Sequence, residues 1–194
     1  MFNELQEKIK KCRFCEARFG FTPHPIFWGR EKSKIVQISQ APSNNVHSSG
    51  KPFTDQSGKT LRDEWYQISE DEFYNTDNFF IGAVAHCYPG KSKNGGDLEP
   101  PKCCFDMWVK KELEILNNEI YVIIGAKAAK RLFPNENFED LVFKDNLWNG
   151  KLTIVLPHPS PLNRRWIKAH PEFMNKRIKE VRSCIHEIIG KEEK

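Results

Sequence analysis

The sequence of 194 residues contains no long hydrophobic run. Its longer apolar runs, such as residues 120–126, fall far short of the roughly 20 residues that a membrane-spanning helix requires. The N-terminal stretch MFNELQEKIKKC is charged, and it lacks the apolar core of a secretory signal. These absences predict a cytoplasmic protein that has no membrane partner.

The chain also lacks an internal repeat, a low-complexity linker and a large net charge, which is only +4. Hydrophobic residues make up 39% and charged residues 29%, which is typical of a globular protein and excludes a disordered or fibrous chain. The length suits one domain with a substantial core. We therefore expect a monomer with a single domain over residues 1–194, including an N-terminal arm (1–33) and a frayed tail (191–194).

The positive charge is concentrated toward the C-terminus. Residues 151–194 hold ten of the 30 Lys and Arg residues but only five of the 26 Asp and Glu residues. Such a region suits a polyanionic partner, because Lys and Arg release counterions when they bind phosphates. A solvated basic helix gives the same pattern, so charge alone leaves both interpretations open.

Four short runs that are apolar nearly throughout predict strands covered on both faces. They are residues 34–39, 79–84, 120–125 and 152–156. Helical patterns alternate with them over residues 57–68, 101–116, 125–133 and 173–189. The alternation predicts a three-layer α/β/α fold with a central four-stranded, mostly parallel sheet and helices on both faces. Ligands in such folds bind beyond the carboxyl ends of the strands, so we expect function in residues 40–57, 85–96 and 157–165.

The first of these segments combines the turn SQAPS (39–43) with the loop GKPFTDQSG (50–58). Such a turn presents backbone N–H groups to a ligand, and Phe53 can stack on a flat ring with the Asp55 carboxylate beside it. Alternatively, Phe53 packs in the core, and Asp55 or Ser57 only caps the next helix.

The last segment, PHPSPLNRR (157–165), contains three prolines within five residues, which makes it stiff. His158 lies between two of them and suits a fixed hydrogen-bond donor. Leu162 lies close to Arg164 and Arg165, and an apolar wedge flanked by phosphate binders is what a protein needs to push a base out of a duplex. A structural turn with a basic rim is the alternative.

Six cysteines in a chain without a secretory signal favour metal or redox chemistry over disulfides. Cys12 and Cys15 form a C-x-x-C, which brings two thiolates close to one metal centre. Cys87 and either Cys103 or Cys104 can complete the site, and we prefer Cys104 because it opens a helical pattern with Trp108 on the same face. An iron–sulfur cluster, a zinc ion and metal-free buried thiols all remain open.

Taken in order, these motifs resemble the uracil-DNA glycosylase superfamily over roughly residues 12–165. HPSPL (158–162) resembles the C-terminal motif of its uracil-removing members. The four cysteines and GKPF resemble the iron–sulfur branches often termed families 4 and 5, and FTDQSG resembles the family 5 form of the loop. The chain also resembles a bacterial group described simply as uracil-DNA glycosylase family proteins.

The resemblance implies a [4Fe-4S] cluster and a monofunctional DNA glycosylase that hydrolyses the N-glycosidic bond of a flipped base in base-excision repair. Gln40 and Ala41 would contact the base, Phe53 would stack on it, and His158 would donate to its carbonyl oxygen. The implied DNA-binding residues are Ser160, Leu162, Asn163, Arg164 and Arg165. The implied cluster ligands are Cys12, Cys15, Cys87 and Cys104, with structural zinc as the alternative.

Two departures from the family pattern affect the site. Some members position water with an Asp where this sequence has Ala41, and family 5 uses the loop Asp that matches Asp55. We therefore assign catalysis to His158, Asp55 and Gln40.

Many members read uracil with an Asn where this sequence has Ala83, so the base can be uracil or a related deaminated or modified base. His86 can replace the missing polar contact, or it can be merely structural. Two further hypotheses are a non-catalytic module that binds DNA damage, and a glycosylase that attacks modified bases in phage DNA.

Overall fold

A computed structural model describes residues 1–93 and 95–191 of the chain. Its centre is a five-stranded sheet in the order β2-β1-β3-β5-β4. The strands are β1 (Ile35–Ser39), β2 (Phe79–Ala83), β3 (Ile120–Ile124), β4 (Asn146–Trp148) and β5 (Lys151–Leu156). Every residue of β1, β2 and β3 is buried, which confirms that these apolar runs are strands covered on both faces.

The predicted sheet had four strands, and the fifth is β4. It pairs antiparallel with β5 at the sheet edge, through a hairpin in which Asn149 (φ +49°) and Gly150 (φ +74°) both adopt left-handed backbone angles. Because β4 spans three residues and Leu147 in it is 72% exposed, it lacks the continuous apolar run that identified the other strands.

Helices lie between the strands, as the sequence predicted. Their bounds are α1 (Phe2–Lys10), α2 (Phe14–Phe19), α3 (Asn44–Ser49), α4 (Gln56–Lys59), α5 (Glu70–Tyr74), α6 (Lys102–Cys104), α7 (Lys110–Ile115), α8 (Ala126–Leu132), α9 (Phe138–Phe143), α10 (Arg164–Ala169) and α11 (Ile178–Ile189). Wider π-helical turns extend or link three of the predicted helices, at Thr60–Tyr66, Phe105–Val109 and Phe173–Arg177. No helix in the described part of the chain is long and apolar enough to cross a membrane.

The parallel strands end level with one another. Ser39 pairs with Ala83 at the ends of β1 and β2, and Ile124 pairs with Leu156 at the ends of β3 and β5. The loops that follow these strands therefore leave the sheet at one edge. β2 and β3 lie on opposite sides of β1 in the sheet. In a doubly wound sheet, a crevice opens where the strand order reverses in this way.

Candidate active site

A cavity of about 260 Å³ opens at the carboxyl edge of the sheet. Its walls come largely from the segments that follow β1, β2 and β5, as expected for a parallel α/β sheet. The structure brings together here seven residues that the sequence predicted for the site, namely Gln40, Ala41, Phe53, Asp55, Ala83, His158 and Ser160. Residues far apart in the chain thus share one concave surface.

His158 is fixed in one orientation and one tautomer. The backbone N–H of Ser160 donates to its Nδ1 (3.2 Å), and the side-chain amide of Asn163 donates to its carbonyl oxygen (2.8 Å). Burial lowers the pKa of the imidazole, and the Asp55 carboxylate opposes this shift without reversing it. The ring is therefore neutral at pH 7, and because Nδ1 accepts a hydrogen bond, the ring proton is on Nε2.

Phe53 has a backbone conformation that its neighbours impose. Its φ is +55°, a left-handed value that a bulky residue rarely adopts. Its carbonyl oxygen accepts a hydrogen bond from Arg62 Nη1 (3.2 Å). The Tyr74 hydroxyl donates to the neighbouring Pro52 carbonyl (2.6 Å) and lies 3.2 Å from the Phe53 carbonyl oxygen. Gly58 packs against this carbonyl so closely that a Cβ at Gly58 would overlap it. These contacts over-determine the turn and fix the place of Phe53 in the wall of the cavity.

Both alternatives that the sequence left open for Phe53 and Asp55 have structural support. Phe53 is only 9% exposed, and its ring packs edge-on against Phe73 with the centroids 6.2 Å apart, yet it also lines the cavity. Asp55 caps α4 by accepting a hydrogen bond from the N–H of Gly58 (3.2 Å), yet it is exposed and lines the same cavity. Each residue therefore contributes to the local fold and to the wall of the site.

Ala83 leaves its part of the cavity without a polar side chain. Gly82 precedes it, and a Cβ at Gly82 would lie 3.0 Å from the Phe80 ring and 3.3 Å from Ile38 Cδ1. The missing side chain at Gly82 therefore serves the packing of the core and does not widen the cavity. The small residue that bears on ligand choice is Ala83.

An exposed apolar tip follows His158. Pro161–Asn163 form a 3-10 turn, and Leu162 within it is 91% exposed. Arg164 and Arg165 are exposed at the start of α10, directly after this turn. An exposed leucine next to the cavity loop and two arginines has the form of a wedge that enters a DNA duplex.

A second, smaller cavity collects most of the cysteines. Five cysteines line it, namely Cys12, Cys15, Cys87, Cys103 and Cys104, and Cys184 lies instead on α11. Burial, together with the charges of neighbouring cysteines, raises the pKa of Cys15 to about 11 and those of Cys87 and Cys104 to about 12. Among residues 1–93 and 95–191, however, no three His, Cys, Asp or Glu side chains form a set that could hold a metal ion.

The surroundings of these thiols nevertheless suit thiolate ligands. The N–H of His86 donates to Cys104 Sγ (3.4 Å), and a backbone hydrogen bond from His24 lowers the pKa of Cys87 against the effect of burial. Such donors stabilise the charged form of a sulfur ligand. The other walls of this thiol cavity are mainly apolar, including Ile9, Phe14, Phe21, Met107 and Trp108. Shielded sulfur donors are the type of ligand that an iron–sulfur cluster or a zinc ion takes, although in the described part of the chain they are not arranged around a single ion.

His86 lies away from the active-site cavity, contrary to its predicted contact with the base. It lines the thiol cavity, is 1% exposed, and places Nε2 3.5 Å from Glu112 Oε2. Burial lowers the pKa of His86 to about 4 and raises that of Glu112 to about 8, so both are largely uncharged at neutral pH and do not form an ion pair. Of the two alternatives for His86, the structural one agrees with this placement.

Sequence comparison identifies the family of this chain. The family model described as the Uracil DNA glycosylase superfamily matches residues 26–182. The chain belongs to the uracil-DNA glycosylase superfamily. Its α/β sheet with helices around it is the fold expected of a uracil-DNA glycosylase.

Three similar proteins are each named Type-4 uracil-DNA glycosylase. The one from Sulfurisphaera tokodaii is 26% identical over 165 residues, covering 81% of this chain and 71% of its own. The one from Archaeoglobus fulgidus is 24% identical over 192 residues and covers 92% of both chains. The one from Thermotoga maritima is 23% identical over 163 residues and covers 82% of both. This uracil-DNA glycosylase superfamily member is therefore family 4-like.

Sequence reasoning missed two features of this glycosylase-family site. Asp97 lines the active-site cavity, but it lies in a glycine-rich turn that carries no recognisable pattern. Arg62 is 7% exposed and holds the Phe53 carbonyl, but an arginine within a helical pattern gives no sign that it is buried. The glycine pair before Asp97 is the one signal that a close chain turn would occur there.

Proposed function

We propose that this protein is a monofunctional DNA glycosylase that hydrolyses the N-glycosidic bond of uracil, or of a related deaminated or modified base, in base-excision repair. The observation that carries the proposal is that Phe53, Asp55 and His158 line one cavity at the carboxyl edge of the sheet. The family match and the names of the three relatives support it.

The geometry fits the chemistry of base release. When the bond from the sugar to the base breaks, its electron pair leaves with the base, and the sugar becomes oxocarbenium-like. The Nε2–H of His158 donates to the base oxygen on which negative charge grows, and a fixed donor is effective here because it need not reorient. Phe53 stacks on the flipped base, which offsets part of the cost of unstacking it from the duplex.

Asp55 orients the attacking water. The support is that Asp55 is an exposed residue of the cavity wall and that its charge opposes the effect of burial on the pKa of His158. The water oxygen bonds to the anomeric carbon as the base departs, and the carboxylate accepts the hydrogen bond from that water. Gln40, the remaining polar residue of the predicted catalytic set, lines the cavity from the turn after β1, and we assign it a contact with the base.

A panel of oligonucleotides tests the function. Full-length protein is incubated with single- and double-stranded DNA that contains uracil, hypoxanthine, xanthine or a modified cytosine, and abasic sites are detected by strand cleavage in alkali. We expect abasic product from at least one of these bases and none from unmodified DNA. Tight binding to an altered base without any abasic product would instead favour the damage-binding module. That hypothesis is motivated by Ala41 and Ala83, where other family members carry an Asp and an Asn.

Leu162 is expected to matter for duplex DNA and not for single strands. Leu162→Ala removes the exposed side chain that fills the gap left by the flipped base. Because unstacking the base costs at most a few kcal/mol, we expect the rate of base release from duplex DNA to fall roughly tenfold. Rates on both kinds of DNA measure this. Leu147→Ala is the matched control, because Leu147 is also exposed but lies on the edge strand β4 outside the site. An equal loss on single strands would contradict the wedge.

We further propose that Cys12, Cys15, Cys87 and Cys104 hold a [4Fe-4S] cluster, with zinc as the alternative occupant. Bound there, it would tie the N-terminal arm to the helix that begins near Cys104, and we assign it a structural role. The support is the shared thiol cavity, its apolar walls and the two backbone N–H donors.

Cys15→Ser is expected to abolish metal binding and to lower the melting temperature. Iron, acid-labile sulfide and zinc are measured in the purified protein, and a brown preparation that contains iron and sulfide identifies the cluster. Cys184→Ser is the control, since Cys184 lies on α11 away from the thiol cavity. Full metal content in Cys15→Ser would remove Cys15 from the ligand set.

A further inference from the structure

Asp97 lines the active-site cavity and is held there by its neighbours. The Tyr88 hydroxyl donates to Asp97 Oδ1 (3.2 Å), and the backbones of Lys91 and Asp97 form an antiparallel bridge. The turn that carries it is closed further by the N–H of Leu98 donating to the carbonyl of Gly90 (2.9 Å). Asp97 is therefore an exposed residue of the cavity wall that one side-chain hydrogen bond and the closed turn hold in place.

Tyr88 is itself packed against the rest of the site. Its ring lies 6.0 Å from that of His47, which in turn packs edge-on against His24 at 5.2 Å. His47 lies on α3, the helix that follows the turn of Gln40 and Ala41. The support of Asp97 thus reaches back to the loop that follows β1.

Asp97 supplies a polar side chain to a cavity in which Ala83 offers none. Its loop follows β2, the strand that Ala83 ends, while His158 follows β5 three places along the sheet. The charge that acts on the His158 ring comes from Asp55. The two carboxylates of the cavity therefore come from different segments, Asp55 from the loop after β1 and Asp97 from the loop after β2.

The chemistry of a carboxylate restricts what it can bind. An ionised carboxylate only accepts hydrogen bonds, and it binds an N–H group more strongly than a neutral acceptor does. The Tyr88 hydroxyl uses one lone pair of Oδ1 and leaves the others for a ligand. A base that turns a carbonyl oxygen or an N-methyl group toward Asp97 would cover this exposed carboxylate from water without offering a donor to its remaining lone pairs, at a cost in affinity.

We propose that Asp97 is a specificity-determining residue that accepts a hydrogen bond from an N–H group on the edge of the flipped base. It thereby selects bases with an imide or amino donor and rejects their N-methylated forms. This inference rests on the proposed function, since it names the substrate class of the same cavity.

The test uses bases that differ only in this donor. Duplexes carry uracil or N3-methyluracil, and hypoxanthine or N1-methylhypoxanthine, each on a 2′-fluoro sugar that resists cleavage, so that affinity is measured apart from catalysis. Wild-type protein should bind the N–H base roughly 10- to 100-fold more tightly than its methylated partner, as expected for a hydrogen bond to a charged group.

Asp97→Leu decides whether the carboxylate causes this preference. Leucine branches at Cγ as aspartate does but accepts no hydrogen bond, so the ratio of affinities should collapse toward one. Tyr88→Phe, which frees the carboxylate from its support, should lower the ratio by less. Asp140→Asn, which removes the same charge at an exposed position outside the cavity, should leave it unchanged. An undiminished preference in Asp97→Leu would show that bulk rejects the methyl group and would overturn the inference.

The inference and the proposed function fail in different ways. If Asp97 has no such role, wild-type protein still releases an altered base, and Asp97→Leu selects as the wild type does. If the proposed function is wrong, wild-type protein yields no abasic product from the base panel. Because binding is measured separately from base release, the preference for an N–H donor can be determined whether or not the protein is a glycosylase. If the protein shows no preference for any altered base, both the role of Asp97 and the proposed function are wrong.

Discussion

Replacing His158 with alanine is expected to slow base release about a hundred- to a thousand-fold, the usual loss when one fixed donor to a developing anion is removed. The neutral ring holds its proton on Nε2 because Nδ1 accepts the N–H of Ser160, and burial keeps the ring from charging. Alanine leaves the cavity without that donor. The single-turnover rate on the preferred base of the panel measures the effect.

His158→Ala should still bind the flipped base. Stacking of the base on Phe53 and the contacts of the protein with the DNA backbone do not depend on the imidazole. Affinity for the 2′-fluoro duplex is therefore the control, and it should change far less than the rate. A His158→Ala protein that binds and releases the base as the wild type does would remove His158 from the catalytic set.

The buried strands were predictable from the sequence because exclusion of water from both faces of a strand requires a continuous run of apolar residues. The runs that became β1, β2, β3 and β5 are apolar on both faces, and the motifs that follow them meet because parallel strands end at one edge. The edge strand β4 was missed because one face of it meets solvent, which removes the pattern.

The sequence could not predict which cavity a side chain would line when this depends on the local path of the backbone. Ala83 lines the active-site cavity, but Ala85, His86 and Cys87 line the thiol cavity, so the chain changes sides within two residues. Adjacency in sequence to Cys87 could not show on which side the His86 ring would lie. Asp97 escaped notice for a related reason, since a glycine-rich turn has no periodicity that indicates where its side chains point.

Gly58→Ala is expected to slow base release by about a hundredfold, although residue 58 does not react with the substrate, because a displacement of about 1 Å in a positioning loop can have that effect. A Cβ at Gly58 would overlap the Phe53 carbonyl oxygen, which already accepts a hydrogen bond from Arg62. The carbonyl must therefore move and weaken this bond. The left-handed turn at Phe53 then loses its support, and the stacking ring shifts in the cavity.

The measurement compares rate with stability, so that a loop displacement is distinguished from unfolding. Gly58→Ala should destabilise the fold by only about 1–3 kcal/mol, typical of overpacking at one site, and should retain its cooperative melting. Gly150→Ala is the matched control. Gly150 has a φ of +74° in the β4–β5 hairpin, and nothing lies within 4 Å of where its Cβ would be, so alanine there strains the backbone but crowds nothing. A Gly58→Ala protein that works at the wild-type rate would show that the turn can relax without moving Phe53, and that the ring does not need this position to act.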